Sequence, residues 1–107
     1  MKRGDVWWVQ FDPSVGTEIQ KIRPAIIVSN DKANQKLSRY VVMPVTSNVK
    51  YFHPGQTRVQ INNREGKAMA DHIMAADRSR LKNFMCQLTD DEMAQVDEAI
   101  KLHLGLC

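Results

Sequence analysis

Three places in this chain hold side chains of the type and spacing that phosphate and base chemistry needs. The first is Arg23, within Lys21-Ile22-Arg23-Pro24-Ala25-Ile26-Ile27-Val28-Ser29-Asn30. A guanidinium is planar, always charged, and able to give two parallel hydrogen bonds to an oxyanion. The second is Thr46, a hydroxyl closing the apolar run Tyr40-Val41-Val42-Met43-Pro44-Val45. The third is Lys50-Tyr51-Phe52-His53, a cation beside three rings, the composition on which unstacked bases are held. Each has a plainer alternative: a strand-end charge in water, an ordinary strand-end hydroxyl, and rings folded back into the core.

The elements that must position these groups follow from the pattern. Proline lacks an N–H for a ladder and pushes its predecessor into extended geometry, so a buried strand is expected from Pro24 to about Asn30 with Arg23 at its mouth. Asp5-Val6-Trp7-Trp8-Val9-Gln10-Phe11 reads as the strand before it, ending at the turn signal Asp12-Pro13. Ser14 to Gln20 is then a polar surface loop, and residues 31–38 read as a polar linker. Arg39 to Val45 is the third strand. If strands two and three are antiparallel neighbours, pairing Asn30 with Arg39 sets Pro24 opposite Val45 and Arg23 opposite Thr46, about 4.5–5.5 Å apart. Thr46 to Gly55 leaves that same end of the sheet as a second polar loop.

Further on, Gln56 to Asn62 alternates like a half-buried strand, Asn62 to Gly66 is a turn, and Lys67 to Asp71 is another short strand. Strand alternation would send Asp71 and His72 to opposite faces. Asp77 to Leu81 reads as a helical turn and Asn83 to Gln87 as a last strand. Thr89-Asp90-Asp91-Glu92 has capping-box form, with Leu88 and Met93 spaced as a hydrophobic staple. Met93, Val96, Ile100 and Leu104 line one helical face, and Gly105 marks its end. Five or six short strands and one C-terminal helix make a small, strongly bent antiparallel sheet or barrel, one domain over residues 1–107.

Composition is that of a globular domain, 43% apolar and 25% charged. Its charge is uneven: residues 89–107 hold five acidic and one basic residue, and residues 1–88 hold fourteen basic and seven acidic. A basic body with an acidic terminal helix points to a polyanion-binding face away from that helix. Met1-Lys2-Arg3-Gly4-Asp5 runs straight into a strand pattern, which argues against a signal peptide, and no apolar run is long enough to cross a bilayer. Cys86 and Cys107 have no metal spacing and read as reduced thiols, so a cytoplasmic location without membrane attachment is expected. Histidines 53, 72 and 103 give no metal spacing either, and no metal or other cofactor is expected.

Arg3-Gly4-Asp5-Val6-Trp7, Asp12-Pro13, Gly16-Thr17-Glu18, Arg23-Pro24-Ala25-Ile26-Ile27-Val28-Ser29, Pro44-Val45-Thr46-Ser47 and Ala70-Asp71-His72 fall in the order and spacing of the MazF/PemK toxins. The chain resembles that family from residue 3 to the terminal helix. The resemblance implies an SH3-like (CcdB/PemK-type) small antiparallel β-barrel with a C-terminal helix, mainly β with some α, assembled as a homodimer. It implies a metal-independent endoribonuclease that cuts single-stranded RNA such as mRNA at short preferred sequences, the toxin of a type II toxin–antitoxin pair. Its catalytic pair falls on Arg23 and Thr46, its loop glutamate on Glu18, and an aspartate that some members use on Asp71. Thr17, Ser47, Asn48, Lys50, Tyr51, Phe52 and His53 then join Asp71 as candidate substrate contacts. Some relatives carry arginine two residues before that aspartate, where this chain has Met69.

The residue chemistry agrees with that assignment. Cutting RNA without a metal requires the 2′-hydroxyl deprotonated, charge on the phosphorane stabilised and the 5′-oxygen protonated. Glu18 can act as base if bound RNA desolvates it; otherwise it is a solvated charge or an ion-pair partner of Lys21 or Arg23. Arg23 suits charge stabilisation better than proton donation, since its pKa lies above about 12. The expected protein partner is a cognate antitoxin with an acidic, disordered tail. The alternative is a non-catalytic binder on the same barrel, like the CcdB-type toxins that poison DNA gyrase through their C-terminal helix.

Overall fold

The structure, a computed structural model, describes residues 1–12, 16–17 and 21–106. Strand β1 (Asp5–Gln10) runs antiparallel between β2 (Ile22–Ile27) and β7 (Leu81–Gln87). β3 (Arg39–Thr46) lies beyond β2. The C-terminal end of β3 pairs with β5 (Arg64–Met69), which forms a hairpin with β4 (Gln56–Ile61). The other end of β3 pairs with β6 (Met74–Asp77), so the strand order is β4-β5-β3-β2-β1-β7 with β6 also beside β3.

Alternation explains why β2 and β3 are continuous apolar runs. Ile26, Val28, Met43 and Val45 join a cluster with Val6, Val59, Ile61 and Leu88 under the terminal helix α2 (Asp90–Leu104). Ala25, Ile27, Tyr40 and Val42 pack on the opposite face with Val9, Phe11, Ala76 and Leu81. Both faces of the stretches at residues 25–27 and 42–45 are therefore buried, and polar positions have no place in them. The helix begins as the sequence requires. Thr89 caps it, Glu92 answers in a capping box, and Leu88 and Met93 share the core cluster. Gly105 ends it in the left-handed region at φ 72°.

Several expectations need correction. Residues 31–36 are not linker but α1 (Asp31–Lys36), capped by the Asn30 side chain, which accepts from the Ala33 N–H at 2.9 Å. Asp31 in its first turn and Lys36 in its last suit the helix dipole. Strand β5 starts at Arg64, three residues earlier than expected, because Asn62 and Asn63 alone make the turn. Both have positive φ, 50° and 67°, the requirement of a two-residue type I′ hairpin, and Asn tolerates it. Met74–Asp77, where the sequence suggests no strand, is β6, and the described residues hold seven strands. Leu104 is exposed, and Ala99 takes its place on the buried helix face.

Two side chains fix how the sheet and helix meet. Glu92 Oε2 accepts from the Gln60 N–H at 2.7 Å, while Oε1 accepts from the Thr89 N–H and hydroxyl, each at 3.1 Å. Burial raises the Glu92 pKa, but these hydrogen bonds outweigh it and hold the carboxyl below its usual range. A folded pKa below the unfolded one gives stability that is present above the unfolded value and lost as pH falls through the folded value. Arg3 ties the N-terminus to both helices: its N–H meets Asp31 at 2.8 Å, its Nε meets the Val28 carbonyl at 3.0 Å, and its guanidinium pairs with Asp97.

Glu92→Gln is expected to melt below the parent at pH 7, with the gap closing as pH falls below the ordinary glutamate range; thermal melts across pH 3–8 check this. Gly66 tests the packing under the hairpin, since an added Cβ would sit 2.7 Å from Val45 Cγ1. Gly66→Ala should cost about 1–3 kcal/mol, read as a melting temperature lower by several degrees.

Candidate active site

Strands β2 and β3 are in the expected register. Ala25 pairs with Pro44, Ile26 with Met43 and Ile27 with Val42, and the Val28 N–H donates to the Val41 carbonyl at 2.9 Å. The pairing stops at Ala25 and Pro44. Hydrogen-bonded pairs alternate along an antiparallel ladder, so the Val28–Val41 bond fixes which residues turn their amides toward the partner strand. By that parity Pro24 is the next position on β2 that would donate to β3, and it has no N–H. Contrary to expectation, Pro24 is not the first residue of its strand: β2 begins at Ile22, and Trp8 on β1 lies opposite Pro24.

Pro44 obeys the same parity in reverse. Its nitrogen faces away from β2, toward the side where β6 leaves β3 at Val42 and β5 takes over at Val45. Each proline thus stands where a ladder is interrupted, so neither wastes an acceptor in the middle of a sheet. Beyond Pro24 the two strands part. Arg23, Thr46 and Ser47 line the resulting groove of about 420 Å³, with Trp8, Ile22, Met85 and, from the β4–β5 hairpin, Ile61, Asn62, Arg64 and Glu65. A larger hollow of about 620 Å³ near α1 shares none of these residues, and its Arg3 and Asp97 pair with each other.

Both polar loops leave this end. The first is gathered at its neck, where the Phe11 N–H donates to the Lys21 carbonyl at 2.8 Å and the Lys21 N–H to Asp12 Oδ1 at 2.9 Å. Arg80 Nη1 adds bonds to the Gln10 and Asp12 carbonyls at 3.0 and 2.7 Å. Thr17 is exposed on that loop, and Glu18 lies outside the described residues. The second loop starts with the Asn48 N–H 3.4 Å from Thr46 Oγ1 and the Lys50 N–H 3.2 Å from Asn48 Oδ1. It then folds over the outer side of the hairpin. Phe52 lies under the Arg58 guanidinium, 4.5 Å from ring centroid to Cζ, while Tyr51 is 78% exposed.

Asp71 is not at a strand end. It sits in a 3₁₀ turn, Ala70–His72, and the turn brings Asp71 Oδ2 within 3.9 Å of His72 Nε2 instead of sending the two to opposite faces. Asp71 does not line the groove of Arg23 and Thr46. Its carboxylate accepts from Gln56 Nε2 at 3.3 and 3.4 Å, and Gln56 Oε1 accepts from the His53 N–H at 2.9 Å. Trp8 and Arg64 also line the groove, beyond the residues expected from the sequence. Two adjacent tryptophans in one strand should have signalled that one of them faces outward. Arg64 was hidden by taking the two-residue turn for five. Among the described residues, no three His, Cys, Asp or Glu side chains stand close enough to share a metal ion. Cys86 is a free thiol, whose pKa burial pushes up; Cys107 lies outside the described residues.

A bent antiparallel half-barrel, crossed by a helix and opened at one strand end, is the architecture of the small β-barrel toxins. It superposes on the crystal structure of MazF from Deinococcus radiodurans with a TM-score of 0.87, at 28% identity over 98% of this chain and 96% of that one. A MazE–MazF structure from the same organism gives a TM-score of 0.79 at 25% identity, over 100% of this chain and 97% of that one. Endoribonuclease MazF9 of Mycobacterium tuberculosis (strain ATCC 25618 / H37Rv) is 38% identical over 115 residues, spanning 99% of this chain and 98% of the relative. The chain belongs to the PemK-like, MazF-like toxins of type II toxin–antitoxin systems, whose family model matches residues 2–104. That membership disfavours the CcdB-like alternative.

Proposed function

We propose that this toxin is an endoribonuclease that cuts single-stranded RNA without a metal ion, with the scissile phosphate in the groove between Arg23 and Thr46. The observation that carries the reading is the parting of β2 and β3 at Pro24, which leaves a guanidinium and a hydroxyl lining one open groove. In this reading the substrate's 2′-oxygen attacks the adjacent phosphorus, the P–O5′ bond breaks, and the products carry a 2′,3′-cyclic phosphate and a 5′-hydroxyl. Arg23 stabilises the charge that grows on the phosphorane oxygens, and Thr46 orients the phosphate through its hydroxyl. Glu18 takes the 2′-hydroxyl proton, supported by its place in the family's motif, and the departing 5′-oxygen takes its proton from solvent water. Thr17, Ser47, Asn48, Lys50, Tyr51 and His53 meet the flanking nucleotides. Asp71 acts at the rim, through Gln56.

The natural partner in this reading is an antitoxin with an acidic tail that folds along the groove, and the toxin works as a homodimer in the cytoplasm. The D. radiodurans MazE–MazF structure supports a protein partner of that kind. The basic balance of residues 1–88 supports an acidic one.

Incubation of the protein with a long synthetic RNA in excess EDTA, with the cut ends mapped, is expected to give discrete cuts bearing cyclic phosphate and 5′-hydroxyl ends. Strict magnesium dependence or 5′-phosphate ends would defeat the mechanism. Arg23→Lys keeps the charge but loses the planar two-pronged grip. Losing one preorganised electrostatic contact costs about 10²–10³ in rate, so single-turnover cleavage by Arg23→Lys should slow at least tenfold. The same is expected of Thr46→Ala, with both variants melting within a few degrees of the parent.

A further inference from the structure

Two cations on the sheet beside the second loop are held by the protein itself. Lys67 on β5 is the ladder partner of Thr46 on β3 and of Arg58 on β4. Directly paired residues share a sheet face, so Thr46, Lys67 and Arg58 form one row across three strands. Lys67 Nζ donates to the Tyr51 carbonyl at 2.9 Å and stands 5.6 Å from the Phe52 ring centroid. Arg58 lies over the same ring and pairs with Glu65. Phe52 is thereby clamped to the sheet by two cations, an arrangement that also shields its face from a base. Tyr51, the preceding residue, is left pointing into solvent.

We propose that Lys67 is a positioning residue for substrate: through the Tyr51 carbonyl and the Phe52 ring it fixes the loop so that Tyr51 is presented as a stacking platform for an RNA base. The proposal rests on the reading of the chain as an RNA-cutting enzyme. Lys67 acts through the loop and does not neutralise a phosphate. It also links two parts of the site mechanically, since the residue that aims Tyr51 is registered opposite the one carrying the Thr46 hydroxyl. A base on Tyr51 is then held at a fixed offset from the phosphate, which is how a small groove can prefer short sequences.

The test compares the parent with Tyr51→Ala, Lys67→Met, Lys67→Arg and the Tyr51→Ala/Lys67→Met double variant. Binding is measured across salt concentrations to an RNA made uncleavable by a 2′-deoxy sugar at the mapped cut site. Tyr51→Ala should weaken binding about tenfold, the loss of one stacked base. Lys67→Met should cost most of that factor, and the double variant should bind no more weakly than Tyr51→Ala alone, because both remove one interaction. Lys67→Arg, still able to meet a carbonyl and a ring, should bind within about threefold of the parent. Single-turnover cleavage at saturating RNA should stay within about twofold for Lys67→Met.

Additive losses in the double variant would overturn the proposal. So would a drop of about 0.7 in the salt slope for Lys67→Met, the mark of a lost phosphate contact on single-stranded nucleic acid. A second readout needs no RNA: amide hydrogen exchange over residues 48–54 should quicken in Lys67→Met, and unchanged exchange would overturn the positioning role by itself. A parent that fails to bind RNA while this exchange difference persists would instead overturn the functional reading, and the substrate role with it.

Discussion

Everything at this end of the molecule depends on two missing amide hydrogens. A β-ladder continues as long as each inward-facing N–H finds a carbonyl, and a core strand as apolar as Pro24–Val28 has every reason to stay paired. Pro24 cannot supply the bond, and the pairing of β2 with β3 ends at its neighbour, Ala25. Pro44, on the strand across, marks where β3 changes neighbours from β6 to β5. The opening between Arg23 and Thr46 is therefore a product of backbone chemistry, supported on both sides by strands whose central residues pack into a core on each face. A groove framed this way is rigid, as suits groups that must stabilise charge without moving toward it.

The charge pattern looks different once the partners are known. Residues 1–88 carry an excess of basic side chains, yet Arg3 is bound to Asp97 and the Val28 carbonyl, Arg58 to Glu65 and Phe52, and Arg80 to two carbonyls of the first loop's neck. Counting basic residues thus overstates the field that a polyanion would meet. These three cations hold the N-terminus, the β4–β5 hairpin and the first loop's neck in place. Acidic residues of the helix serve the scaffold in the same way, Asp97 through Arg3 and Glu92 through Gln60.

The scaffold was legible in the sequence wherever one local rule decided the outcome. The capping box at Thr89 and the apolar runs of β2 and β3 were such cases, and the register between those strands followed from a single assumed pair. The misreadings share a cause. At Asn30 a strand end hid an asparagine whose side chain caps a helix, and at Asn62 and Asn63 a five-residue turn hid two whose backbones take positive φ. Met74–Asp77 was too short and too mixed to show as a strand, and it is one only because β3 offers it an edge. Arg23 and Thr46 were found together because register carried them. Lys67 and Gln56 were not, because what they hold is a loop, and a loop's path is written in no periodicity.

The way the loops join the sheet sets which parts of the chain can change length. Side chains alternate along β5, so deleting one of its residues would take Lys67 out of the row it shares with Thr46 and Arg58 and turn core positions outward. The segment between Ser47 and Gly55 carries no such phase. It is fastened from outside by Lys67 and Gln56. Doubling the length of such a loop costs only about 0.6 kcal/mol in closure entropy. Insertions can accumulate there while the framework keeps its residue count, so descendants of this chain are free to lengthen the loop beside the groove without respacing Arg23 and Thr46.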